Sequence, residues 1–189
     1  VGSEMCIRDR ALAAYDKALA IDPAHRSAHI EKAYIHIGAN ELAAAKADID
    51  AAKKHWNGDL NVIYAQALLA YSDGKHAEAR ESLQKILKVA PGHMPSILLA
   101  GAVEMNLGGN KQAEQYLRTY LNNLPNNVYA RKLLAQVLLK SGQPVEASAV
   151  LAPALKDSTQ DAQLLALTGQ SYLQSRDFAK ASAYLEQAS

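Results

Sequence analysis

Between Leu60 and His93 the chain reads LNVIYAQALLAYSDGKHAEARESLQKILKVAPGH, two apolar runs of helical spacing joined by the turn SDGK and closed by Pro-Gly. The stretch predicts one helix-turn-helix hairpin of 34 residues. Steps of 34 in either direction keep phase without a gap. With Leu60 as the first position, the eighth is Ala33, Ala67, Gly101, Ala135 and Gly169, and the twentieth is Ala11, Ala45, Ala79, Ala113, Ala147 and Ala181. The twenty-fourth is larger: Tyr15, Ile49, Leu83, Leu117, Leu151 and Leu185. The thirty-second is Pro23, Asn57, Pro91, Pro125 and Thr159.

Each recurrence has a physical reason. Two helices approach closely only where both carry small side chains, and a larger residue beside the crossing fills the remaining space. Proline lacks an N–H and clashes with the preceding turn, so it closes the second helix of each pair. The pattern predicts an all-α chain of eleven helices: a half repeat at 11–25, full repeats at 26–59, 60–93, 94–127 and 128–161, and a shorter one at 162–189. No linker or charge block interrupts the run, so 11–189 reads as a single solenoid. The repeat at 26–59 is the least regular, with Asn57 in the proline slot and Asn40 expected as the N-cap of its second helix. Glycines at Gly108-Gly109 and Gly142 are expected to make the turns within later repeats, and Pro144 to open a helix.

The first ten residues, VGSEMCIRDR, fit no repeat. They back-translate to GTG GGC TCG GAG ATG TGT ATA AGA GAC AG plus one base, which resembles a transposase adaptor used in preparing sequencing libraries. They are accordingly set aside as non-native, with the native N-terminus expected upstream. Cys6 goes with them, and the rest of the chain then has no cysteine for a disulfide, a thiol nucleophile or a thiolate metal site. The net charge stays at +1, since the ten residues hold two basic and two acidic groups.

The small eighth and twentieth positions, the larger twenty-fourth and the prolines at the thirty-second resemble the tetratricopeptide repeat signature. That resemblance implies a right-handed superhelix of antiparallel helix pairs, an α-solenoid, with a concave groove lined by the second, fifth, ninth and twelfth positions of each first helix. Here the groove would be apolar and tyrosine-bearing in the earlier repeats, with Ile30, Tyr34, Tyr64, Leu68, Tyr71, Leu98 and Met105, and more polar later, with Tyr129, Lys132 and Gln136. A protein or extended peptide is the expected occupant. Tyr64, Leu68, Leu99, Tyr129 and Leu133 stand where chaperone-binding members of that family carry a Lys/Asn/Arg carboxylate clamp, which disfavours that role.

Other chemistries are poorly supported. His25, His29 and His36 cluster in sequence, but no carboxylate is evidently spaced to complete a metal site, and none is expected. No nucleophile, base and orienting group recur together, and Gly108-Gly109 lacks the Lys-Ser/Thr of a phosphate loop, so neither catalysis nor a cofactor is expected. RNA-reading helical repeats carry small polar residues near the fifth position, where this chain has Ile30, Tyr64, Leu98, Lys132 and Ala166. With a net charge of only +1, nucleic acid is not an expected partner. No apolar run approaches the ~18 residues of a membrane span.

The runs MPSILLAGAVEMNLGGNKQAEQYLRTYL and YARKLLAQVLLKSGQPVEASAVLAPAL, above all LLAGAVE, YARKLLA and LAPAL, resemble the PEP-CTERM system TPR-repeat lipoprotein family. The resemblance implies a scaffold on the periplasmic face of a Gram-negative envelope, serving exosortase-linked export and exopolysaccharide assembly, with a lipid anchor far upstream. The alternative is an accessory repeat region of a larger carbohydrate-processing or glycosyltransferase protein.

Overall fold

The computed structural model describes residues 2–156 and 160–189, with side chains from Ile7 onward. Thr159 and the side chain of Cys6 lie outside the described residues. Among these, every regular element is α-helical: α1 (Gly2–Ile21), α2 (Arg26–Gly38), α3 (Leu42–Trp56), α4 (Leu60–Ser72), α5 (His76–Val89), α6 (Met94–Asn106), α7 (Asn110–Asn123), α8 (Val128–Lys140), α9 (Pro144–Leu155), α10 (Ala162–Gln174) and α11 (Phe178–Ala188). The eleven helices fall where the period places them, except that α1 runs back through the prefix. EMCIRDR contains good helix formers and no breaker, so nothing in it stops the helix.

The chain divides into two compact units, Val1–His93 and Met94–Ser189, and the division coincides with a repeat boundary. In the first unit α2 pairs with α3 and α4 with α5, while α2 and α4 lie side by side. In the second, the pairs are α6 with α7, α8 with α9 and α10 with α11, and α8 touches both α6 and α10.

Burial follows the repeat positions. Ala33, Ala67 and Ala135 at the eighth position are 0 % exposed, as are Ala45, Ala79, Ala113 and Ala147 at the twentieth. At the two glycines of the eighth position the approach is closer still, so that an added methyl group would force the opposite leucine to shift. A Cβ on Gly101 would stand 2.7 Å from Leu117 Cγ, and one on Gly169 would stand 2.7 Å from Leu185 Cγ. In these two repeats the twenty-fourth residue, Leu117 or Leu185, therefore sits on the eighth. Leu83, Leu117 and Leu151, all at the twenty-fourth position, are buried.

The turns are equally periodic. Asn40, Gly74, Gly108, Gly142 and Arg176, spaced by 34, all have φ between 59° and 79°. The left-handed conformation closes the turn between the two helices of a pair, and glycine adopts it at no steric cost. Asn40 is thus the turn residue and not the N-cap of α3; Glu41 takes the cap position and makes no side-chain cap bond. Asparagine tolerates the left-handed region because its short polar side chain bonds locally, the same property that favours it at N-caps. Gly109 has an ordinary φ of −78°.

First helices are capped at the thirty-fourth position. Asp59 accepts from the N–H groups of Asn61 and Val62, Asn127 from Ala130, Asp161 from Leu164, and His25 Nδ1 from Ala28. Each side chain satisfies amides that lack an intrahelical partner. Pro144 opens α9 as expected. Where the proline slot holds Asn57, a different tie closes the corner: the Trp56 indole N–H donates to the Ala24 carbonyl at 2.8 Å, and the Arg26 guanidinium lies over the Trp56 ring while pairing with Asp59.

Replacing Ala79 or Ala113 by Leu should lower stability by about 1–3 kcal/mol, since the crossing has no room for the added volume; unchanged denaturant midpoints would refute the register. A Cβ at Gly74 or Gly108 meets nothing within 4 Å, so Gly74→Ala or Gly108→Ala should cost about 1 kcal/mol for backbone conformation alone. Arg176→Gly should shift the midpoint the opposite way.

Candidate functional site

In the first unit the expected groove residues form an aromatic run. Tyr34 on α2 meets Tyr64 on α4 edge-to-face, with ring centroids 6.4 Å apart and planes at 75°. Tyr64 in turn meets His93 at 5.7 Å in the same manner. Edge-to-face contact lets the positive ring edge meet the negative face of its neighbour, which holds the rings in place. Burial pushes the Tyr34 hydroxyl up to about 12, helped by Tyr64 and Glu31 beside it. Leu68 is half-buried, and Tyr71 leans on His76 at 5.4 Å. These side chains do not stand free in solvent: Tyr34 packs on a core cluster of Ile30, Ala33, Ile49, Ala52, Val62 and Ala65.

One candidate is corrected outright. Ile30 is 5 % exposed and belongs to that cluster, so it is core and not groove. The packing of α2 against α4 turns the fifth position inward at this repeat.

A polar cluster beside α2 was only half visible in the sequence. His29 Nδ1 and Lys32 Nζ each lie 3.6 Å from Asp48 Oδ1, and His36 Nε2 lies 3.6 Å from Asp48 Oδ2. His29 Nε2 donates to the Pro23 carbonyl at 3.0 Å, and His36 Nδ1 bonds Glu41 at 2.6 Å. The His36 hydrogen bond, with the Arg8 charge nearby, holds the Glu41 carboxyl below its usual range despite some desolvation. A carboxylate does therefore stand next to both histidines, supplied from α3, contrary to the expectation from spacing along α2. Lys32 shares it, however, and among the described residues no set of three metal-ligating side chains is assembled. The cluster ties α2 to α3 and, through a 2.6 Å bond from Lys32 to Asp16, to α1.

In the second unit Leu98 and Met105 on α6 are half-buried, while Tyr129 on α8 is 51 % exposed. Lys132 is not available as a free groove cation, because its ammonium bonds Asp161 at 2.8 Å. That bond, with the N–H of Leu164, holds the Asp161 carboxyl below its usual range. Gln136 lines a small cleft between α8 and α10. Two further features had no sequence signal beyond scattered residues: a stacked Tyr172–Tyr184 pair at 5.6 Å with Lys180 Nζ over the Tyr172 ring, and a cleft of about 430 Å³ in the first unit, where Ile49 and Leu69 are rimmed by Lys46, Asp50, Asp73, Lys75 and Glu78.

Helix hairpins repeating every 34 residues, crossing at small side chains and presenting a first-helix face, define an α-solenoid of the interaction-scaffold class. The tetratricopeptide repeat family model matches residues 70–137 and 110–171, together more than half of the chain, and the chain belongs to that family. Among curated proteins it is similar to the β-barrel assembly-enhancing proteases of Escherichia coli (strain K12) and Shigella flexneri, each 36 % identical over 89 residues. That match covers 47 % of this chain but spans only 18 % of the length of those proteins. Among solved structures it is similar to YrrB, described as a TPR protein with an unusual peptide-binding site, at 22 % identity and a TM-score of 0.72 over 93 % of this chain and 90 % of that one. It is also similar to pilF of Pseudomonas aeruginosa, at 21 % identity and a TM-score of 0.75 over 94 % and 90 %. At such identities the likeness to solved structures concerns the fold. No helix among the described residues is long and apolar enough to cross a membrane.

The Tyr34 environment generates a pH prediction. A hydroxyl raised from its ordinary 10.0 to about 12 favours the folded state while neutral, so its contribution is complete below pH 10 and is lost as pH rises toward 12. Spectrophotometric titration of the tyrosines should show a late component that Tyr34→Phe removes. A parent-minus-variant difference curve that titrates at the ordinary 10.0 would contradict the burial of this hydroxyl.

Proposed function

We propose that this chain is a non-catalytic scaffold whose first-helix faces hold an extended segment of a partner protein. The observation that carries the reading is the Tyr34–Tyr64–His93 run, flanked by Leu68 and Tyr71. Ring packing fixes these side chains before any partner arrives, so little conformational freedom remains to be lost on binding. Tyrosine adds large apolar area with a hydroxyl able to meet a peptide backbone, the combination enriched at interface hot spots. A peptide-binding site is named for YrrB, which shares the fold, and this supports the same class of ligand here.

The resemblance of LLAGAVE, YARKLLA and LAPAL to PEP-CTERM system lipoproteins supports a finer reading. In it the scaffold works on the periplasmic face of a Gram-negative envelope, in export or assembly of surface proteins and exopolysaccharide.

The test uses dodecamer peptides selected from a random displayed library on the parent protein and then synthesised with a fluorescent label. Tyr64→Ala combined with Tyr71→Ala should weaken those that bind the first unit by on the order of 2 kcal/mol. Because both rings are half-buried, Tyr64→Phe is the folding-neutral companion and should retain most of the affinity. Binding should change little with added salt, as apolar contacts are not screened. Equal affinity for parent and double variant, or loss of binding with rising ionic strength, would overturn the aromatic face as the site.

A further inference from the structure

We propose that the cleft between α3, the end of α4 and the start of α5 is a socket for an arginine side chain of a partner protein, held by Asp50 and Glu78 over a floor of Ile49 and Leu69. Its volume is about 430 Å³, within the range of ligand clefts. None of its lining residues stands at a second, fifth, ninth or twelfth position, so it is a different place from the aromatic run. That the arginine belongs to a protein rests on the scaffold reading; the place and the chemistry of the socket do not. The repeats themselves explain why the cleft is there. Two periods on, Gln66 and Ala70 of the first unit correspond to Leu134 and Leu138 of the second, which are 2 % and 0 % exposed. Ala70 lacks three of the carbons that Leu138 places at this position, and the space beside it is left open.

The chain also shows what such a place takes. In the second unit the Arg118 guanidinium on α7 donates to Glu114 one turn earlier at 2.7 Å and reaches across to Glu146 on α9 at 2.9 Å. In the first unit Glu78 stands at the position of Glu146, but Lys46 and Asp50 stand at those of Glu114 and Arg118, so the pair one turn apart is reversed in sign. A carboxylate is thus found where the second unit has its bridging guanidinium. Neither lining cation is left to make the bridge from α3 to α5: Lys46 is held by Asp50 and Lys75 by Asp73, while Glu78 makes no ion pair among the described residues. The lining carries three carboxylates against two ammonium groups, which favours a cationic occupant. A guanidinium suits it better than an ammonium, because its planar fork of donors can meet two carboxylates at once and it is more weakly hydrated. The aliphatic stem of the arginine lies along the apolar floor, as long basic side chains do elsewhere.

The experiment titrates the full chain, isotope-labelled for NMR, with N-acetyl-arginine N-methylamide and with the citrulline analogue, which keeps the stem and loses the charge. The arginine probe should shift the amides of the lining segments of α3, α4 and α5 saturably, and the citrulline probe should bind on the order of tenfold more weakly. Glu78→Gln should cost the arginine probe a similar factor, and added salt should weaken it further. Lys46→Glu/Asp50→Arg copies the charge pattern of the second unit; it should bridge to Glu78 from within, keep its helices by circular dichroism, and abolish binding. Tyr64→Ala/Tyr71→Ala should leave the arginine probe unaffected, so that the socket and the aromatic face stand or fall separately. No saturable shift at millimolar arginine probe, equal affinity for citrulline, or undiminished affinity in folded Glu78→Gln or Lys46→Glu/Asp50→Arg would overturn the socket, and intact binding of the dodecamers would then leave the aromatic face standing. Loss of the arginine probe in Tyr64→Ala/Tyr71→Ala would overturn its placement. Tighter binding of free arginine than of the blocked probe would overturn the assignment to a partner protein.

Discussion

Everything in this structure depends on how closely two helices of a hairpin approach one another. At Gly101 and Gly169 the approach is so close that a single methyl group would collide with the leucine opposite, at 2.7 Å. Where the eighth residue is alanine, it is fully buried. The twentieth-position alanine lets the second helix into this distance, and the twenty-fourth residue fills the space beside it. Because each hairpin uses the same three positions, neighbouring hairpins present equivalent surfaces, and a polar or bulky change at one crossing would spread strain to the next.

The turns and caps are set by the same periodicity, but with looser chemistry. The left-handed residue at the fifteenth position is glycine in three repeats, asparagine in one and arginine in one, so conformation is kept while the residue varies. Caps at the thirty-fourth position likewise use Asp, Asn or His, whatever can accept a hydrogen bond from the amides of the first turn. Helix boundaries are therefore fixed by several weak signals acting together, which is why α3 begins on time although its own N-cap makes no side-chain bond.

The fold was legible because a 34-residue period is tested at every repeat, and chance does not keep six alanines in phase. Groove residues were harder to read. The fifth and ninth positions share one face of a helix, but whether a side chain there meets solvent depends on how tightly the next first helix packs, which no local pattern records. Ile30 was misplaced for that reason, and the inward packing of Tyr34 was missed in part for the same one. Asp48 escaped notice as the partner of His29 and His36 because it comes from another helix, across a hairpin. Lys132 looked free until the cap of α10 was seen to hold it.

The two units share a scaffold and differ in the residues their first helices present: the Tyr34–Tyr64–His93 run in the first, and a small cleft lined by Gln136 and Gln170 in the second. Both faces are consequences of the hairpin crossings that position the first helices. The most direct measurement is a double-mutant cycle on the second unit, combining Gly101→Ala with Leu117→Ala and reading denaturant stability. If the eighth and twenty-fourth residues set the interhelix distance, the penalty of Gly101→Ala should largely vanish once Leu117 is truncated, giving a coupling of about 1 kcal/mol or more. Additive effects of the two substitutions would show that the hairpins are held by something other than this crossing.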